Sequence, residues 1–101
     1  MKGTEKQITW AETIKKTIID TSNEAYDSFV KNPQYDASNP AHKDMSDIYK
    51  SWGILAEKED NAAFFINCFS RVESAAPLMQ RIKSIRTAMI VNEMPKEWRY
   101  K

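Results

Sequence analysis

The chain has 101 residues, with 15 Lys/Arg against 14 Asp/Glu, 42% hydrophobic and 29% charged residues, one Cys and one His. That length supports one modest core, so residues 1–101 are expected to form a single domain, and the composition excludes collagen-like and strongly disordered classes. A lone Cys68 excludes an internal disulfide, and beside a lone His it excludes a zinc cage.

In chain order, Thr4 followed three residues later by Gln7 is a capping box, in which each side chain satisfies an orphan backbone N–H. Beyond it Ile8, Ala11, Ile14, Ile18, Ser22, Ala25 and Phe29 recur at spacings of 3 or 4, and Ile19, Tyr26 and Val30 widen the stripe. Thr21 to Glu24 has the spacing of a second capping box, but the stripe stays in phase through it. One long helix over about 5 to 31 is therefore predicted. Asn32-Pro33 ends it, because proline disfavours the α conformation in the residue before it. "NPQYDASNP" then reads as a loop rich in Pro, Asn, Asp and Ser.

Asn39-Pro40 opens the second helix as N-cap and first helical residue. Ala41, Met45, Ile48, Trp52 and Leu55 form its seam, and Gly53 costs it about 1 kcal/mol relative to Ala. Charged "EKED" closes it. Asp60 is the expected N-cap of a third helix. Its main stripe is Ala62, Phe65, Phe69 and Val72, with Phe64, Cys68 and Ala75 about 100° around, a pattern for a helix with neighbours on both sides. Pro77 is unwelcome in a helix interior. With Ser74 as a new N-cap it falls in the first turn, giving a fourth helix over about 75–91 with Leu78, Ile82, Ile85 and Met89 on its seam. Pro95 stops it. The expected class is all-α, a single-domain bundle of about four helices with a long N-terminal helix, the third and fourth either separate or continuous and kinked.

No catalytic constellation emerges. His42, Asp44 and Asp47 do not share one helical face, and a solvated first turn explains them. Cys68 lies between Phe64 and Phe69, the setting of a buried structural cysteine, and two glycines cannot build a phosphate cradle. The expectation is no enzyme, no cofactor and no metal. The longest apolar run, Ala62 to Ile66, is far short of the roughly 20 residues of a membrane span. Lys2, Glu5, Lys6 and Gln7 leave no apolar segment for a secretory signal. A cytoplasmic protein away from membranes is expected.

The charge is unevenly placed. Residues 1–60 hold 8 Lys/Arg and 11 Asp/Glu, a balance of −3, while residues 71–101 hold 7 and 3, a balance of +4. Attraction between the two halves within the fold is the preferred reading over a phosphate-binding face.

Two surface features stand out. Trp10 lies about 100° from the middle of its helix's stripe and Phe64 is similarly displaced on its own, so the two are expected to pack together. Left exposed, Trp10 is a partner anchor. The tail "MPKEWRYK" interleaves Trp98 and Tyr100 with Lys96, Arg99 and Lys101, and Arg81, Lys83 and Arg86 precede it. Such a tail can fold back on the body, dock an acidic protein surface, or stack on bases while neutralising phosphates. Trp98, Arg99, Tyr100, Lys96, Lys101, Arg86 and Trp10 are the candidate partner-binding residues.

"GTEKQITWAETI", followed some fifty residues later by "NAAFFIN", resembles a small helical family found in bacteria, phages and mobile elements. That family's pattern is approximately S/T-E-K-Q, then W-A-E and an Ile, with a later D-A-x-W-W-I-D block. Trp10, Ala11, Glu12 and Ile14 match the first block. Phe64, Phe65 and Ile66 stand where the family has W-W-I, and Asn67 replaces its acidic residue. The match covers less than a third of the chain. The resemblance implies a genomic context and supplies no catalytic residues. By analogy, small proteins in that context often bind a host machine, including as inhibitors of CRISPR or other defence systems. The resulting expectation is a non-enzymatic protein that binds and modulates a host nucleic-acid-handling or defence complex. A DNA- or RNA-binding accessory domain using the basic aromatic C-terminus is the alternative, and the hydrophobic seams also allow a homodimer.

Overall fold

A capped start, a proline-bounded loop and two further breaks divide the chain into four helices in its computed structural model, which describes residues 1–92 and residue 98. They are α1 (Glu5–Val30), α2 (Pro40–Lys58), α3 (Ala62–Phe69) and α4 (Leu78–Val91). Among the described residues there is no strand, only a single bridge between Lys2 and Asn61. The protein is all-α, with a long N-terminal helix.

The capping box forms as expected: the Gln7 N–H donates to the Thr4 hydroxyl at 3.2 Å, and the Thr4 N–H donates to Gln7 Oε1 at 3.0 Å. Gly3 precedes it at φ +144°, a conformation L side chains rarely adopt. α1 then runs unbroken through Thr21. The Thr21 hydroxyl donates to the Thr17 carbonyl at 2.7 Å instead of capping a new helix. This is the last rung of a ladder, since Thr9, Thr13 and Thr17 likewise donate to the carbonyls of Glu5, Thr9 and Thr13.

α2 begins with Asn39 accepting from the Ala41 N–H and Pro40 at the first helical position. It lies antiparallel to α1. Ser22 meets Gly53, while Lys15, seven residues earlier, reaches the carbonyls of Glu57 and Glu59 beyond it. Those carbonyls close α2, where a cation is favoured by the helix dipole. The seam expected for α2 is rotated by one residue. Ser46, Trp52, Gly53 and Ala56 are buried, whereas Ala41 is exposed and Met45, Ile48 and Leu55 are half-buried. Gly53 therefore meets Ser22 of α1 at close approach, Trp52 enters the core beside it, and Ile48 and Leu55 pack at the core's margin.

Two boundaries differ from the sequence reading. Asn61, one residue after Asp60, caps α3 by accepting from the Ala63 N–H. α4 starts at Leu78, with Pro77 as N-cap at ψ 155° and no side-chain cap. Residues 70–77 form turns, because Pro77 keeps its predecessor out of the α conformation more strongly than Ser74 can nucleate a helix. α3 and α4 are separate helices. The core collects Ala11, Ile14, Ile18 and Ala25 of α1, Trp52 and Ala56 of α2, and Ala62, Phe65 and Phe69 of α3. Val72, Ile82, Ile85 and Trp98 complete it.

Candidate interaction surfaces

The acidic and basic halves are joined by Arg81. Its side chain is 11% exposed, and its Nη1 donates to Glu24 and, at 3.0 Å, to the Thr21 hydroxyl. Its Nε donates to the Ala76 carbonyl at 2.9 Å, tying the turn before α4 to the first helix. Part of the charge asymmetry is thus used internally. The other described cations of α4, Lys83 and Arg86, are exposed on its outward side, and Arg86 is also engaged within the chain.

The candidate partner-binding residues separate. Trp98 is 4% exposed and folds back, its indole 5.4 Å from the rings of both Phe64 and Phe69. In this arrangement it offers no ring to a partner. Lys96, Arg99, Tyr100 and Lys101 lie outside the described residues. Trp10 is 49% exposed, and the pairing with Phe64 expected for it does not form. Phe64 instead meets Phe65, Phe69 and Trp98. The reason is geometric: Phe64 faces the cluster closed by Trp98, while Trp10 stands on the outer side of α1 beside exposed Thr9 and Thr13.

Surfaces overlooked in the sequence lie on α4. Met79, Ile90 and Val91 are exposed at 73%, 81% and 74%. A polar groove of about 530 Å³ runs between α3 and α4, with Asn67, Ser70, Arg71, Lys83, Ser84 and Thr87 among its lining residues and no carboxylate among the described ones. An apolar recess of about 210 Å³ lies between Trp52 and Arg86, Met89 and Ile90. The Trp52 Nε1–H is buried and has no acceptor among the described residues. The sequence signal for the exposed face was the phase of Met79 and Ile90, which lie off the Leu78–Ile82–Ile85–Met89 seam.

Of the residues considered for chemistry, His42 and Asp47 make contacts within the fold. His42 Nδ1 accepts the Asp36 N–H at 3.0 Å and its ring stacks on Tyr35, which pins the loop between α1 and α2. Asp47 pairs with Lys43 one turn away at 3.0 Å. Cys68 is half-buried, and burial, with a smaller contribution from Glu59, pushes its thiol up from the ordinary value. Its carbonyl accepts from Asn92 at 3.1 Å, which ties the end of α4 to α3. Among the described residues no group of His, Cys, Asp and Glu is placed to hold a metal ion, and no helix is long and apolar enough to cross a membrane.

This is an all-α protein with four α-helices among the described residues, its polar surface interrupted by an apolar and cationic helix face. Comparison of the chain with protein-family models, curated proteins and solved structures found no match.

Proposed function

We propose that the chain is a non-enzymatic interaction protein that binds and modulates a larger host complex. The observation that carries this reading is the outward face of α4, where Met79, Ile90 and Val91 stand in water beside Lys83. Scattered apolar residues are ordinary on a protein surface, and what supports the reading is that three large ones at 73% exposure or more fall on one short helix. Exposed Trp10 supplies a second anchor of the residue type that dominates binding hot spots.

The class of complex rests on the TEKQ and WAE resemblance alone. On that ground the partner is a nucleic-acid-handling or defence assembly of a bacterial host, such as CRISPR–Cas, and the chain acts as its inhibitor. Direct DNA or RNA binding by the basic aromatic C-terminus is the alternative. Burial of Trp98 weighs against it, because stacking on bases needs an exposed ring.

Capture from a bacterial host lysate with the whole chain as bait, followed by cross-linking and mass spectrometry, tests the reading. The expected outcome is reproducible recovery of one complex, with loss of its activity when purified protein is added. An oligonucleotide mobility shift that weakens steeply with salt, with no protein recovered, would establish the alternative.

A further inference from the structure

We propose that the outward face of α4 docks an acidic amphipathic helix of a protein partner, an inference that rests on the reading of the chain as a protein-binding module. Met79, Lys83, Arg86 and Ile90 follow one another at steps of 4, 3 and 4, and so share one side of the helix over about 16 Å. The two ends of this stripe are apolar and open, and its middle is cationic. Shallow grooves flank it on both sides. One is lined by Met79, Ile82 and Ile90, and the other, toward α3, by Asn67, Arg71 and Ser84. Both include Gln80, Lys83 and Thr87, so Lys83 stands on the ridge between them, and among the described residues neither is lined by a carboxylate.

Charge and spacing select the occupant. Arg86 has a partner within the chain, and Lys83 and, across the groove, Arg71 supply positive character beside it. Two copies paired antiparallel through α4 would set Met79 of each against Ile90 of the other. They would also oppose two cationic centres, which is unfavourable at a buried contact. A nucleic-acid backbone satisfies the cations and leaves Met79, Ile90 and Val91 against phosphate, where they gain nothing. A helix with apolar side chains three turns apart and Asp or Glu between them satisfies the whole stripe, the helix-in-groove mode of recognition.

The test uses a labelled synthetic peptide of about 20 residues, long enough to form a helix when bound. It carries Leu at positions i, i+4, i+7 and i+11 and Glu on the remaining face. It is titrated into the full chain by fluorescence anisotropy, beside the same peptide with Lys for Glu and a single-stranded oligonucleotide. The acidic peptide is expected to bind at least tenfold more tightly than the basic one. M79S/I90S and K83E should each weaken it by tenfold or more, with unchanged circular dichroism. Equal binding of both peptides, or full affinity in M79S/I90S, overturns the proposal. So does preference for the oligonucleotide, or a dimer in sedimentation that M79S/I90S dissolves. If the lysate complex is still captured by M79S/I90S, this face is not the docking site, while the reading as an interaction protein stands.

Discussion

Replacing Gly53 by Ala should destabilise the protein, although alanine is the better helix former. In a solvent-exposed helix interior the change would gain about 1 kcal/mol. Here a Cβ on Gly53 would lie 2.9 Å from Ser22 Oγ and 3.2 Å from Ser22 Cβ. The serine cannot simply turn away. Its hydroxyl donates to the Tyr49 carbonyl and accepts the Gly53 N–H at 2.9 Å, bridging the two groups that an α-helix would pair directly. Rotating it forfeits two hydrogen bonds, each worth about 1 kcal/mol net, and keeping it forces the helices apart at an overpacking cost of about 1–3 kcal/mol. The balance is a loss of about 1 kcal/mol or more, a fall of roughly 4–8 °C in melting temperature per kcal/mol for a domain of this size. In a Ser22→Gly background the obstruction is gone, and Gly53→Ala should then stabilise by about 1 kcal/mol. Urea titrations of the four proteins give a double-mutant cycle with an expected coupling of about 2 kcal/mol. The same sign of effect in both backgrounds would refute the close-contact account.

Trp98→Ala should cost about 3–5 kcal/mol, since it opens the cluster with Phe64 and Phe69, while Trp10→Ala should stay within about 0.5 kcal/mol; thermal melts compare them. Arg81→Ala should destabilise by about 1–2 kcal/mol, because it loses three hydrogen-bond partners at once. Glu24→Ala, at a half-exposed carboxylate, should cost under about 1 kcal/mol in the same denaturant assay. Hydrogen bonds from the Ser38 hydroxyl and N–H hold the Asp36 carboxyl below its ordinary value. Its contribution is therefore present above the ordinary carboxylate range and fades as pH falls through the lowered value. Ser38→Ala should move the Asp36 titration, followed by NMR, back toward ordinary and flatten that acid limb.

What could be read in advance was whatever local chemistry decides. Thr4 with Gln7 and Asn39 with Pro40 fix two helix starts by hydrogen bonds within a few residues, and the 3-and-4 spacing of Ile14, Ile18 and Ala25 fixes a core face. The misses are where a distant residue decides. Gly53 looked like a cost because its partner Ser22 is 31 positions away, and the buried side of α2 shifted by one residue to let the backbones approach. Pro77 was given to the first turn of a helix capped by Ser74, whereas Pro77 is itself the N-cap and the helix starts at Leu78. Trp10 and Phe64 were paired by angle alone, but a wheel holds no information on the third ring, Trp98, that fills the space. On α4 the exposed residues were visible only as the complement of a seam. Nothing local says whether such a remainder faces water or a partner.

The threonine ladder of α1 changes how its surface should be counted. Thr9, Thr13, Thr17 and Thr21 direct their hydroxyl hydrogens at their own helix, so none has that hydrogen to offer a neighbour, and only Thr21 has its oxygen read from outside, by Arg81. Thr17 and Thr21 are buried at 4% and 0% exposure, and Thr17 fills its site much as a valine would. The interior is thus more oily than its letters suggest. At Thr17 valine is a near-neutral exchange for sequence drift, whereas at Thr21 the same exchange would strip Arg81 of an acceptor. One repeat of four identical residues therefore carries two different selective constraints, set by whether a guanidinium reads the oxygen from the far side.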